Sequence, residues 1–205
     1  MRLIVITPEN DLPGETLLAA RMLENGLHRL HIRKPGYSAS QLRTYVQTLP
    51  PDAYHQLIIH NHYSICGELG LGGVHFSAQV RESGKQNPGG YPSVSTSFHT
   101  WEEVKAQGSD FASCFISPVF NSISKPGYLA GVNWEGLYQT RQHLAALGRS
   151  CPEIIGLGGV TPDKLGMLHS HGFDGAAMLG AIWQAEYPFG IFTEAMDAII
   201  DLEDY

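Results

Sequence analysis

Histidines recur in one kind of setting in this chain: His31 in Leu30-His31-Ile32-Arg33, His60 and His62 in Ile59-His60-Asn61-His62, and His75 in Gly73-Val74-His75-Phe76. Each closes or follows a short β-forming run. An unperturbed imidazole titrates near neutrality, so His31, His60 and His75 are candidate acids and bases, and proton transfer is the chemistry they suggest. Arg33 shares a face with His31 in an extended segment and can grip a phosphate through two nitrogens at once. Asn61 and the hydroxyls of Ser95-Thr96-Ser97 supply neutral donors and acceptors at the ends of two more runs. Such a set, rich in donors and poor in carboxylates, suits a phosphorylated, heteroaromatic or hydroxylated ligand better than a cation. A transition metal shared by His60, His62 and His75 is a further reading, with no carboxylate nearby to support it.

A second seat for phosphate lies near the C-terminus. The run Ile154-Ile155-Gly156-Leu157-Gly158-Gly159-Val160-Thr161-Pro162 breaks from apolar residues into glycines, then offers Thr161 as a helix N-cap with Pro162 at the first helical position. Gly175-Ala176-Ala177-Met178-Leu179-Gly180-Ala181-Ile182 repeats the pattern. Backbone N–H groups at Gly158, Gly159 and Gly180 would face an anion there, and glycine lets it approach without a Cβ in the way. Two tight turns without a ligand are the plainer reading of the same residues.

Strands alternating with helices must carry these groups. Strand-like runs fall at Leu3 to Ile6, Leu27 to Ile32, Leu57 to Ile59, Gly73 to Phe76, Ser93 to Ser97, Phe111 to Ile116, Glu153 to Leu157 and Gly175 to Leu179. Between them lie helical stretches: Glu15 to Leu23, Ser38 to Leu49 with Ser38 as its cap, Tyr63 to Leu69, a helix from Thr100 with a capping box to Glu103, Trp134 to Leu147, Pro162 to His171, and Phe192 to Leu202. The segment after Phe76, through Gly84 to Gly90, is loop-like. Eight βα units imply an α/β protein whose parallel strands close as a single (β/α)8 TIM barrel over residues 1–205, with the chemistry at the strands' C-terminal ends. A doubly wound open sheet is the alternative, but its glycine-rich turn would follow the first strand, where Thr7-Pro8-Glu9-Asn10 stands.

Composition narrows the partners. With 20 acidic against 13 basic residues the formal charge is −7, which argues against a nucleic-acid or anionic-membrane surface. Cys66, Cys114 and Cys151 are odd in number and widely spaced, which fits a reducing cytoplasm. No run approaches the roughly 20 apolar residues of a membrane span. The expectation is a cytoplasmic enzyme with small-molecule ligands, no nucleic-acid or membrane partner, and possible self-association.

In order, HIR after strand two, GVHF at strand four, a serine ending strand five, SPVF with S-x-S-K after strand six, GLGGV after strand seven and GAAMLGAI at strand eight resemble the thiamine phosphate synthase/TenI family. The likeness covers nearly the whole chain. It implies a (β/α)8 barrel acting on phosphorylated thiazole and pyrimidine precursors of thiamine. In the synthases it implies a magnesium-bound hydroxymethylpyrimidine diphosphate that ionises before the thiazole nitrogen attacks. It also implies roles residue by residue. His31 stands where the synthases have a glutamine on the pyrimidine, Arg33 matches their diphosphate-binding arginine, and Ser97 matches the serine near the ring. Ser122 and Ser124 replace two threonines, and Lys125 matches the lysine that closes on the diphosphate. Gly158, Gly159, Leu179 and Gly180 match the backbone site for the thiazole phosphate.

The departures are as informative. Synthases carry Asn-Asp where this chain has His60-Asn61, and the aspartate expected beyond the strand-four histidine falls in Ser77-Ala78-Gln79-Val80. Pro35 replaces a lysine after Arg33. Without those magnesium carboxylates, the resemblance favours the TenI-like branch, which includes a thiazole phosphate tautomerase and needs no cofactor. Its catalytic histidine after strand six corresponds to Pro118 here, which leaves His31, His60 and His75 to move the proton. A true synthase, using magnesium, and a precursor-binding protein without turnover are the alternatives.

Overall fold

The computed structural model describes residues 1–121 and 133–203. Eight parallel strands close into a barrel in chain order: β1 (Arg2–Ile6), β2 (Arg29–Ile32), β3 (Leu57–Ile59), β4 (Gly73–Phe76), β5 (Val94–Phe98), β6 (Ser113–Ile116), β7 (Glu153–Leu157) and β8 (Gly175–Met178), with β8 pairing back on β1. Helices follow the strands: α1 (Glu15–Glu24), α2 (Ala39–Gln47), α3 (Ser64–Leu69), α4 (Ala78–Ser83), α5 (Trp101–Gln107), α6 (Glu135–Ala146), α7 (Leu165–Ser170), α8 (Gly180–Trp183) and α9 (Pro188–Glu203). Among the described residues no helix is long and apolar enough to cross a membrane.

Two apolar layers hold the barrel together. Outward-facing strand residues such as Leu3, Val5, Leu30, Ile32, Val74 and Ile154 pack under the helices, while Ile4, Ile6, Phe115, Ile155 and Ala177 form a separate cluster inside the wall. Helix starts follow their caps where side-chain chemistry demands it. Ser38 and Gln41 form a reciprocal capping box, as do Thr100 and Glu103, and the Ser77 hydroxyl accepts from the Val80 N–H to start the short helix after β4.

The region after β7 departs from expectation. Thr161 makes no capping hydrogen bond; Pro162–Lys164 is a single 3-10 turn, and the α-helix begins only at Leu165. Leu179 leads into the four-residue α8, absent from the sequence reading, and α9 begins at Pro188, ahead of the expected start at Phe192. Neither helix start at the glycine turns therefore brings a long helix dipole to bear on an anion.

Candidate active site

A cavity of about 450 Å³ opens at the C-terminal end of the barrel, lined among others by Arg33, His60, Asn61, His75, Ser97 and Phe115. A smaller cavity of about 280 Å³ lies at the opposite end, where His31, Ser95, Arg2, Arg29 and Glu153 line it. His31 is thus buried one layer beneath the mouth, and the expectation that it opens there beside Arg33 is corrected. Strand stagger explains this. His31 pairs with Ile58, so His60, two residues on, stands a layer closer to the mouth.

The three histidines form one cluster. His31 Nδ1 meets His60 Nε2 at 3.1 Å, and the His60 and His75 rings stack with centroids 4.3 Å apart and planes 19° apart. Phe115 lies beneath, 5.2 Å from the His75 ring and 4.9 Å from that of His31. Both nitrogens of His75 are engaged: Nδ1 with Ser95 Oγ at 2.8 Å and Nε2 with Ser97 Oγ at 3.1 Å. Burial dominates the electrostatics. Desolvation, then the neighbouring imidazoles and guanidiniums, hold His31 and His60 well below the usual imidazole range. Desolvation with Arg33 and Arg81 pushes His75 down to about 3. All three rings are therefore neutral at physiological pH.

His62 does not join them. Its backbone is left-handed (φ 50°) and its Nε2 contacts the Tyr37 carbonyl at 2.7 Å, so the grouping of His60, His62 and His75 is not formed. One ring nitrogen from each of His31, His60 and His75 does lie within 4.8 Å of the other two. Nitrogens sharing a tetrahedral ion at about 2.1 Å sit roughly 3.4 Å apart. An ion would have to draw the rings inward and displace a serine from His75.

The rim is held from behind. Arg33 ion-pairs with Glu9, and its N–H donates to Thr7 Oγ1 at 2.9 Å. Lys34 points away from the barrel, fully buried, with Nζ 2.8 Å from Glu15 Oε2, while Tyr45 donates to the other oxygen of that carboxylate at 2.7 Å. Asn61 Nδ2 donates to the Lys34 carbonyl at 3.0 Å, tying the ends of β2 and β3 together. Its Oδ1 is buried with no hydrogen-bond partner among the described residues.

Across the mouth, Gly158 and Gly159 have positive φ (97° and 65°). A Cβ on Gly159 would stand 2.2 Å from the Asn121 carbonyl oxygen, and one on Gly158 would stand 2.9 Å from Pro118 Cβ. Close packing on the loop after β6 is thus sufficient to require glycine at both places. Leu179 and Gly180 lie at the neighbouring turn, with Leu179 packed on the interior cluster. Ser122, Ser124 and Lys125 lie outside the described residues. Sequence reading missed Phe115, which period-two counting along β6 could have found, and His99, whose Nδ1 contacts the Ser117 carbonyl at 2.8 Å beside the cavity.

A family model described as thiamine monophosphate synthase matches residues 3–182. A thiamine-phosphate synthase of Bordetella avium is 26% identical over 189 residues, covering 88% of this chain and 86% of that protein. One from Lactococcus lactis subsp. cremoris is 26% identical over 192 residues, covering 88% and 84%. The crystal structure of thiamine phosphate pyrophosphorylase from Bacteroides thetaiotaomicron superposes with a TM-score of 0.76 at 25% identity, covering 99% of each chain. A match running through all eight strands, on a closed barrel with its polar groups at the expected end, makes this chain a member of the thiamine monophosphate synthase/TenI family.

Proposed function

We propose that this barrel is a TenI-like proton-transfer enzyme that takes thiazole phosphate at its mouth and moves a proton on it through His60 and His75. The observation that carries this reading is the lining itself: imidazoles, hydroxyls, an amide and one guanidinium, with no carboxylate among the described residues that line the cavity. A neutral imidazole hydrogen-bonded to hydroxyls can take a proton as it gives up another without holding a charge, whereas diphosphate departure needs its growing charge neutralised. Magnesium does not fit these residues. It wants carboxylate and phosphate oxygens, and where the family's synthases place carboxylates this chain offers Asn61, with one unpartnered amide oxygen, and the carboxylate-free stretch Ser77-Ala78-Gln79-Val80.

In this reading the phosphate rests on the backbone N–H groups of Gly158, Gly159 and Gly180 beside Leu179, and Ser97 and Asn61 face the ring. Arg33 supplies a second anion contact by exchanging Glu9 for phosphate. Ser122, Ser124 and Lys125 are assigned to substrate binding on the resemblance alone. The synthase reading, joining hydroxymethylpyrimidine diphosphate to thiazole phosphate, has the Arg33 match in its favour and the donor set against it. Incubating purified protein with each precursor under a magnesium titration separates the two. Magnesium-independent tautomer conversion of thiazole phosphate is expected, with only weak thiamine phosphate synthesis that rises in Asn61→Asp. Robust magnesium-dependent synthesis by the parent protein would overturn the assignment, and absence of product from both substrates would leave a binding protein.

A further inference from the structure

The mouth cavity and the lower cavity are separate openings, yet an unbroken set of hydrogen-bonding groups joins them through the barrel. Ser97 lines the mouth cavity and meets His75 Nε2 at 3.1 Å; His75 Nδ1 meets Ser95 Oγ at 2.8 Å; Ser95 lines the lower cavity. Beside this chain, His60 at the mouth meets His31 at 3.1 Å, and His31 lines the lower cavity. Arg2 and Glu153, both more than a third exposed, pair at the far end of that cavity, so it opens to water at the N-terminal face. In an ordinary barrel of this kind side chains pack the interior shut and its N-terminal end serves stability.

We propose that His75, bridged between Ser97 and Ser95, relays protons through the barrel core between the mouth and the lower cavity, with the His60–His31 pair as a parallel branch. The step balances without any added reagent. A proton reaching Ser97 Oγ displaces that hydroxyl's own proton onto His75 Nε2. His75 releases the proton on Nδ1 to Ser95 Oγ, and Ser95 passes its own to water in the lower cavity. One proton enters, one leaves, and His75 changes tautomer while remaining neutral. Returning a proton to a second atom of a ligand at the mouth runs the chain backwards and restores the first tautomer. The Val74 carbonyl, 3.5 Å from Ser95 Oγ, faces the serine hydroxyl when it is not donating to the imidazole.

Two physical facts support the relay beyond the distances. A buried imidazole ringed by Phe115 and two other imidazoles accepts a lasting second proton only at high cost, so taking one is far easier when another leaves from the opposite nitrogen. A ligand at the mouth would also seal the upper water away, leaving the lower cavity as the remaining exchange route on this path. The relay deepens the proton-transfer reading above, because it explains where the abstracted proton waits.

Nitrogen-15 NMR of the full chain with labelled histidine tests the relay without any substrate. In the parent protein the two His75 ring nitrogens should give averaged shifts, showing fast tautomer exchange. Ser95→Ala should separate them into a fixed protonated and unprotonated pair, and Ser95→Thr should restore averaging. A single fixed tautomer in the parent, or averaging that survives Ser95→Ala, overturns the proposal. If Ser95→Ala does not fold, the parent and Ser95→Thr spectra still decide it. With thiazole phosphate, Ser95→Ala should lower kcat at least about tenfold with KM unchanged. Absence of turnover by the parent would remove the tautomerase reading while leaving the tautomer-exchange result intact.

Discussion

The barrel interior is built from two unlike arcs. At mid-depth the inward residues of β1, β6, β7 and β8 include Ile4, Ile6, Phe115, Ile155 and Ala177, an apolar wall with Arg2, Ser113 and Glu153 at its N-terminal end; those of β2 to β5 include His31, His60, His75, Ser95 and Ser97, with Ile58 as an apolar member. The apolar arc gains free energy simply by leaving water. The polar arc loses hydration, and each of its groups must recover it from a neighbour. Where stability alone is at issue, aliphatic residues would fill β2 to β5 as well as they fill the other side. A contiguous polar arc set against them, with cavities above and below, is the side of the barrel to which the proposed proton transfer belongs. The apolar arc is a packed wall whose rim, at Gly158 and Gly159, carries no side chains.

The largest contrast is in how each arc responds to truncation and to acid. Ile155 is fully buried, so Ile155→Ala should cost about 2–5 kcal/mol of unfolding free energy, by the same amount at pH 7.5 and pH 5. Urea unfolding at both values measures it. A cost under about 1 kcal/mol would show that the wall is loosely packed.

Acid should act on the other arc. His75 holds its proton only below about 3 when folded, against about 6.5 when unfolded. Between those values the unfolded chain binds a proton that the folded chain does not, so stability is complete above about pH 6.5 and falls as pH drops. At pH 5 the loss from His75 alone is about 2 kcal/mol, and His31 and His60, also held low, add to it in the same direction. His75→Gln should flatten the curve between pH 7.5 and 5. A parent protein equally stable at both values would mean that the imidazoles are not buried neutral.

At the rims the comparison becomes one of anion seats. Arg33 is already paired with Glu9, so binding a phosphate exchanges one partner for another and yields less than a free guanidinium would. Arg33→Ala should weaken inorganic diphosphate roughly tenfold, about 1.4 kcal/mol, and Glu9→Gln should strengthen it. Neither change should move thiazole phosphate affinity if that phosphate sits on the glycine turns opposite. Calorimetric titration of both ligands checks this. Equal weakening of both would place a single anion seat at Arg33.

What could be read in advance follows from what is local. The barrel, the parallel order and the caps at Ser38 and Thr100 come from alternation and from contacts three residues apart, which the chain carries within itself. Depth inside the barrel is different. Period two assigns His31 to the interior face, but only the stagger between β2 and β3 decides that it lies below His60. The same alternation turns Lys34 away from Arg33 into the helix layer, yet its partner Glu15 on α1, and Tyr45 on α2 that donates to the same carboxylate, come from distant turns of the chain and no local pattern announces them. The pairing of Arg33 with Glu9 is hidden for the same reason.

The smallest effect tests the one local signal that misled. Thr161-Pro162 has the pattern of an N-cap and first helical residue, but the same pair equally begins the 3-10 turn at Pro162–Lys164. Thr161 Oγ1 is buried and has no hydrogen-bond partner among the described residues. A working cap lost to an apolar residue would cost about 1 kcal/mol. Removing an unpaired buried hydroxyl while keeping the shape costs nothing and spares its desolvation. Thr161→Val should therefore leave unfolding free energy within about 0.5 kcal/mol of the parent or raise it slightly. A loss near about 1 kcal/mol in urea unfolding would show that the hydroxyl caps the turn after all, as a side-chain acceptor at the rim of the apolar arc.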